Sequence, residues 1–129
     1  MYHKEGDMGY QYYNPNPTRT PEAGDCVIRA IMKATGKKWL DVYVGISIIG
    51  AFIHDMPSRN RIWNKYLKHL GFKRHMVNQD DYNVRAFCFN HPEGTYILAI
   101  DGHAVCVVDG IYYDSWDSGD EIPLYYWKR

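Results

Sequence analysis

A chain of 129 residues with 46% hydrophobic and 23% charged residues has the balance of an ordinary globular domain, which argues against disorder and gives one domain, 1-129, as the default. Lys plus Arg and Asp plus Glu stand at 15 each, so no net charge draws the protein to nucleic acid or to an anionic membrane surface. The first ten residues lack the apolar core of a secretory signal, and the longest apolar run, Val42 to Ile53, is too short to span a bilayer.

The expectation is therefore a cytoplasmic protein with no membrane partner and no nucleic-acid partner. Three cysteines, Cys26, Cys88 and Cys106, cannot all pair within the chain, and their spacing matches no zinc motif. Free thiols are expected, with no metal and no cofactor. The oligomeric state is not legible.

Residues 1-24 hold Gly6, Gly9, Pro15, Pro17, Pro21 and Gly24, and the Asn14-Pro15-Asn16-Pro17 stretch disfavours helix. This segment reads as an extended leader lying on a surface. Residues 25-91 read as mainly helical. Asp25 is placed to cap a short helix starting at Cys26, with Val27, Ala30, Ile31 and Ala34 on its apolar face and Gly36 as its stop. A second helix is predicted from Trp39 to Phe52, although Gly45, Gly50 and the β-branched residues weaken its propensity. A third runs from Arg59 to Leu70 on the stripe Ile62, Trp63, Tyr66, Leu67, Leu70, and a fourth opens at Asp80 or Asp81 and reaches Phe89.

From Thr95 the pattern changes to strands, so residues 95-129 are predicted to form an antiparallel sheet. The runs are Tyr96 to Ile100, His103 to Val108 and Ile111 to Trp116. Asp109-Gly110 between the last two is the strongest hairpin signal in the chain. Helices first and sheet last give an α+β fold. Tyrosines gather toward both ends, at Tyr10, Tyr12 and Tyr13 and at Tyr112, Tyr113, Tyr125 and Tyr126, so the two ends are expected to pack together.

Cys26 falls in the first turn of the first predicted helix, where the backbone dipole and free N–H groups stabilise a thiolate. His103 opens a strand after Asp101-Gly102, where a glycine allows close approach. A two-residue loop at Asp109-Gly110 pairs His103 with Trp116 and Val105 with Asp114. His103 and Asp114 are then diagonal neighbours, about 7 to 8 Å apart at the backbone, close enough for the carboxylate to orient the imidazole. A three-residue loop would put Asp117 opposite His103 instead, which makes Asp117 the alternative acid. Taken singly, Cys26 reads first as a small buried core cysteine, and the five other histidines read as surface or turn residues. Arg29, one turn after Cys26, is placed to stabilise a thiolate or bind a substrate carboxylate, but reads first as an exposed helix arginine.

The motifs Gly24-Asp25-Cys26, Gly102-His103-Ala104-Val105 and Tyr113-Asp114-Ser115-Trp116-Asp117 resemble the papain-like cysteine peptidase superfamily, nearest to compact bacterial members such as bacteriocin-leader-processing peptidase domains. The whole chain also resembles small proteins of phages and Gram-positive bacteria. The resemblance implies a papain-like fold with the nucleophile helix first and a Cys26, His103, Asp114 triad acting on a peptide, isopeptide or related acyl bond of a peptide or protein substrate. It also implies an oxyanion site made by the cysteine N–H and an upstream side-chain amide. Gln11, Asn14 and Asn16 are the amide candidates, and Thr20 stands at the usual position six residues before the cysteine. The alternative expectation is a catalytically weak or inactive binding module on the same scaffold, a phage protein engaging a host factor.

Overall fold

The computed structural model describes residues 9–18 and 24–129; residues 1–8 and 19–23, which include Thr20, lie outside the described part of the leader. The elements run β1 (Tyr10–Tyr12), α1 (Cys26–Thr35), α2 (Trp39–Ile53), α3 (Asn60–His69), β2 (Lys73–Met76), α4 (Val84–Asn90), β3 (Thr95–Ile100), β4 (His103–Val108), β5 (Ile111–Asp114) and β6 (Pro123–Lys128). This is a mixed α+β fold. The strands form one mostly antiparallel sheet in the order β1-β5-β4-β3-β6-β2, with β1 parallel to β5.

Asp109 and Gly110 both adopt positive φ, 50° and 79°, the backbone that a two-residue type I′ turn demands and that Asp-Gly accommodates. The turn sets β4 against β5 with Cys106 opposite Tyr113 and Val107 opposite Tyr112, the register read from the sequence. A second tight turn at Asp101-Gly102 sets Ile100 opposite His103.

Side chains alternate across the sheet, so each strand feeds two cores. Ile97, Ala99, Ala104, Cys106 and Trp127 pack under α1, α2 and α3, while Leu98, Ile100, Val105, Val107 and Tyr112 pack with Val84, Phe87 and Cys88 of α4. The weak propensity of α2 has a packing reason. A Cβ at Gly50 would lie 2.7 Å from the Asp55 carbonyl oxygen, and one at Gly45 would run into the Tyr66 ring.

Several expectations are corrected. The stretch 25-91 contains β2, a fully exposed edge strand paired with β6, which has no apolar alternation to reveal it. The fourth helix starts at Val84, because Asn83 caps it by accepting the Ala86 N–H at 2.7 Å. Asp81 is instead buried ahead of that helix. The described part of the leader is not simply laid on a surface, since residues 10–12 join the sheet beside β5. That pairing brings the two tyrosine-rich ends together, with Tyr10 and Tyr112 ring centroids 5.4 Å apart and Tyr13 and Tyr113 at 6.0 Å.

Candidate active site

The local cause of the site is the start of α1. Asp25 precedes the helix with non-helical backbone and its carbonyl accepts the Arg29 N–H at 2.9 Å, so Cys26 stands at the first helical position. The expected side-chain cap is absent. Asp25 is turned inward, where Asn16, Trp39 and Arg29 occupy its carboxylate. Arg29 is likewise buried, a correction to its reading as an exposed helix residue. Its guanidinium pairs with Asp25 and reaches Asp114 at 3.5 Å, two acids that desolvation would otherwise leave uncompensated.

Cys26 is half-buried, whereas Cys88 and Cys106 are buried. Burial alone would push the Cys26 thiol up. The hydrogen bond and positive charge of His103, the Ala104 backbone N–H and the Arg29 charge outweigh it, so the pKa falls below its ordinary value. Burial pushes Cys88 up to about 12, and Cys106 is also raised. The Ala104 N–H is available to sulfur for a reason of topology. The β4–β5 ladder extends no further toward His103 than Cys106 and Tyr113.

His103 Nε2 lies 2.6 Å from Asp114 Oδ2, which leaves Nδ1 as the ring nitrogen for the thiol. Burial would lower the imidazole pKa, but the Asp114 hydrogen bond, Cys26 and the Asp114 charge raise it to about 9. The ring also contacts Trp116 at a centroid distance of 5.0 Å. Asp114 is held in place by the Ser118 hydroxyl, donating to Oδ2 at 2.6 Å, and by the Ser115 N–H, donating to Oδ1 at 2.8 Å. Ser118 has no motif in the sequence to announce it. Asp117 takes no part in this cluster, because its carboxylate receives the Tyr112 hydroxyl, the Gly119 N–H and Arg85.

Cys26 and His103 open on a cleft of about 450 Å³ whose other walls include Val27, Trp39, Tyr43, Ile46, Pro57 and Trp63. Gly102, at φ 68°, lines it beside His103 with nothing within 4 Å of where a Cβ would stand. Of the three amide candidates, Asn16 lines the cleft. Its Oδ1 accepts the Thr18 N–H and hydroxyl at 2.9 and 2.7 Å, and its Nδ2 donates to Asp25 Oδ2 at 2.9 Å. That fixes the amide orientation and commits one of its two N–H bonds. Gln11 is exposed on β1, its amide on the Tyr12 carbonyl, and Asn14 accepts the Asn16 N–H at 3.4 Å.

Among the described residues no group of three His, Cys, Asp or Glu side chains is placed to hold a metal ion, and no helix is long and apolar enough to cross a membrane. Fold and site together define an α+β protein with a thiol and an imidazole on the wall of a largely apolar cleft and a buried carboxylate against the imidazole. Set against protein-family models, curated proteins and solved structures, the chain matches none.

Proposed function

We propose that the protein is a papain-like thiol hydrolase that cleaves a peptide, isopeptide or related acyl bond. One observation carries this reading: the half-buried Cys26 thiol, lowered in pKa, shares His103 with a buried Asp114 at the wall of a cleft. A structural cysteine needs none of these partners.

In the proposed reaction Cys26 Sγ, as thiolate, attacks the carbonyl carbon and the carbonyl electrons move to oxygen. The Cys26 backbone N–H and the remaining Asn16 N–H are the donors nearest in kind to what that oxyanion requires. His103, as imidazolium, gives its proton to the leaving nitrogen when the tetrahedral adduct collapses to a thioester. Neutral His103 then removes a proton from water, which attacks the thioester and releases the acid and the thiolate. Asp114 stays ionised and holds the ring. Apart from His103 and the Asp25 carboxylate, whose oxygens are taken by Asn16, Trp39 and Arg29, the cleft walls offer uncharged and largely apolar side chains. Free thiols throughout suit a reducing compartment such as the cytoplasm.

The test is alkylation by iodoacetamide at pH 6, followed residue by residue by mass spectrometry. Cys26 is expected to react at least about a hundredfold faster than Cys88 and Cys106, and His103→Ala is expected to remove that advantage. Equal labelling of the three thiols would sink the proposal. Selective labelling without turnover of any peptide, isopeptide or thioester library would favour a binding module on the same scaffold.

A further inference from the structure

We infer that Asp25 is a positioning residue that ties the nucleophile helix, the triad acid, the oxyanion amide and one wall of the cleft into a single unit. The inference rests on the thiol-hydrolase reading above and assigns a role to the residue before the nucleophile.

Asp25 is buried and its carboxylate holds three partners at once. Oδ2 accepts the Asn16 amide at 2.9 Å and the Trp39 indole N–H at 2.8 Å, while Oδ1 pairs with the Arg29 guanidinium. Arg29 in turn reaches Asp114 Oδ1 at 3.5 Å. Trp39 stacks on Tyr43 with centroids 5.2 Å apart, and both line the cleft. A helix cap would have used one backbone N–H of its own helix. This carboxylate reaches instead to the 14–18 segment, to α2 and, through Arg29, to β5.

The charge arithmetic gives the role a signature that mere packing lacks. The charged groups of the described residues that act on the Cys26–His103 pair are Arg29 from α1 and Asp114 from β5, and Asp25, just before α1, lines the same cleft. The 14–18 segment presents Asn16 to that cleft, and α2 presents Trp39 and Tyr43. Asp101, in the turn beside His103, is exposed. Asp25 therefore balances Arg29 and sets how much of the guanidinium falls on Asp114. Removing the Asp25 charge favours the thiolate, disfavours the imidazolium and lets Arg29 turn fully onto Asp114, which weakens the acid's hold on His103. Removing the Arg29 charge does the reverse.

The experiment is the pH profile of Cys26 alkylation by iodoacetate, an anion whose reaction needs the thiolate and is assisted by the imidazolium. The wild type is expected to show an acid limb from the thiol and a basic limb from His103. In Asp25→Asn both limbs move to lower pH by about half a unit or more, in Arg29→Gln both move up by a similar amount, and Asp25→Glu keeps them near their wild-type places. Shifts of opposite sign support the inference, since damage to folding has no reason to produce them. Limbs that stay fixed, or move the same way in both charge-removing variants, overturn it. If Asp25→Asn does not fold, the upward shift in Arg29→Gln or its absence decides. A wild-type profile without two limbs, or one that survives in His103→Ala, overturns the thiol-hydrolase reading itself, and this inference with it.

Discussion

Among the described residues two acid–imidazole pairs stand out, and they differ in what surrounds the ring. His103 meets Asp114 at 2.6 Å and has Cys26 as its other partner. His91 meets Asp81 at 3.3 Å and lies flat on the Phe87 ring, centroids 3.8 Å apart, with Tyr96 and Tyr126 alongside. Asp81 and Asp114 are equally buried, 2% exposed in each case, so the depth of the acid does not separate the pairs. Asp81 otherwise receives the Asn78 N–H and the Asn90 amide, all within the chain leading into and through α4. It staples a local turn. Asp114 draws on Arg29 from α1 and Ser118 beyond β5. A carboxylate against an imidazole is thus an ordinary structural fastening, and the His103 pair differs from it in that a helix-start thiol and a cleft meet the same ring.

The largest effect that breaks the comparison comes from removing each acid's charge. Asp114→Asn leaves the Arg29 guanidinium with one acid fewer and frees the His103 ring. Stability should fall by about 3 kcal/mol, and Cys26 labelling by iodoacetamide at pH 6 should slow about tenfold to a hundredfold. Asp81→Asn should lower stability by about 1 to 3 kcal/mol and leave the labelling rate alone. Urea denaturation and mass-spectrometric time courses check both. Equal slowing in the two variants would erase the distinction drawn here.

A smaller effect lies in the pH dependence of stability. His103, raised to about 9, binds a proton in the folded state that it has lost in the unfolded state above its ordinary 6.5. Taken alone, its contribution is complete below pH 6.5 and is lost as pH rises through about 9. Cys26, lowered from its ordinary 9.0, does the opposite, since the unfolded thiol keeps a proton that the folded one has given up. Between about pH 6.5 and 9 the Cys26 effect opposes that of His103, so wild-type stability should fall less steeply with pH there than His103 alone would make it. Cys26→Ser unmasks His103, and its urea midpoint should fall with rising pH across that window. Parallel pH curves for wild type and variant would mean that thiol and imidazole do not share a proton.

The smallest effect concerns the acid set aside by the turn register. Asp117 and its partner Arg85 are each more than a third exposed, so Asp117→Asn should cost no more than about 1 kcal/mol. It should leave the iodoacetamide rate of Cys26 unchanged. A loss of labelling comparable to that of Asp114→Asn would return Asp117 to the site.

How much of this was legible in the sequence follows from the range of the interactions. Asp109-Gly110 fixes the β4–β5 register through local backbone preference, and that register is what brings Asp114 rather than Asp117 to His103. Cys26 at a helix start is equally local. Arg29 is different, because its burial depends on Asp114, which stands far along the chain, and a charged residue one turn into a helix gives no sign of such a partner. Asp25 looks like an ordinary cap for the same reason. The strand β2 is exposed at every position, so no periodicity exposes it. The helix α2 misleads in the opposite direction. It is apolar nearly all round, yet Leu40, Val44, Ile48 and Phe52 are exposed, and hydrophobicity alone does not say which face is covered.

The parallel pairing of β1 with β5 has a temporal meaning. Tyr13 N–H bonds the Asp114 carbonyl oxygen at 2.7 Å, so the strand that leads toward Asn16 is anchored on the strand that carries the acid, across almost the whole chain. Cys26 and Arg29 are synthesised early, while His103 and Ala104, which do most to lower the Cys26 thiol, arrive in the last quarter. Contacts of such long sequence separation form late in folding. A nascent or partly folded chain therefore carries an ordinary cysteine, and the lowered thiol pKa arises only when the strand that bears His103 has closed on the first helix.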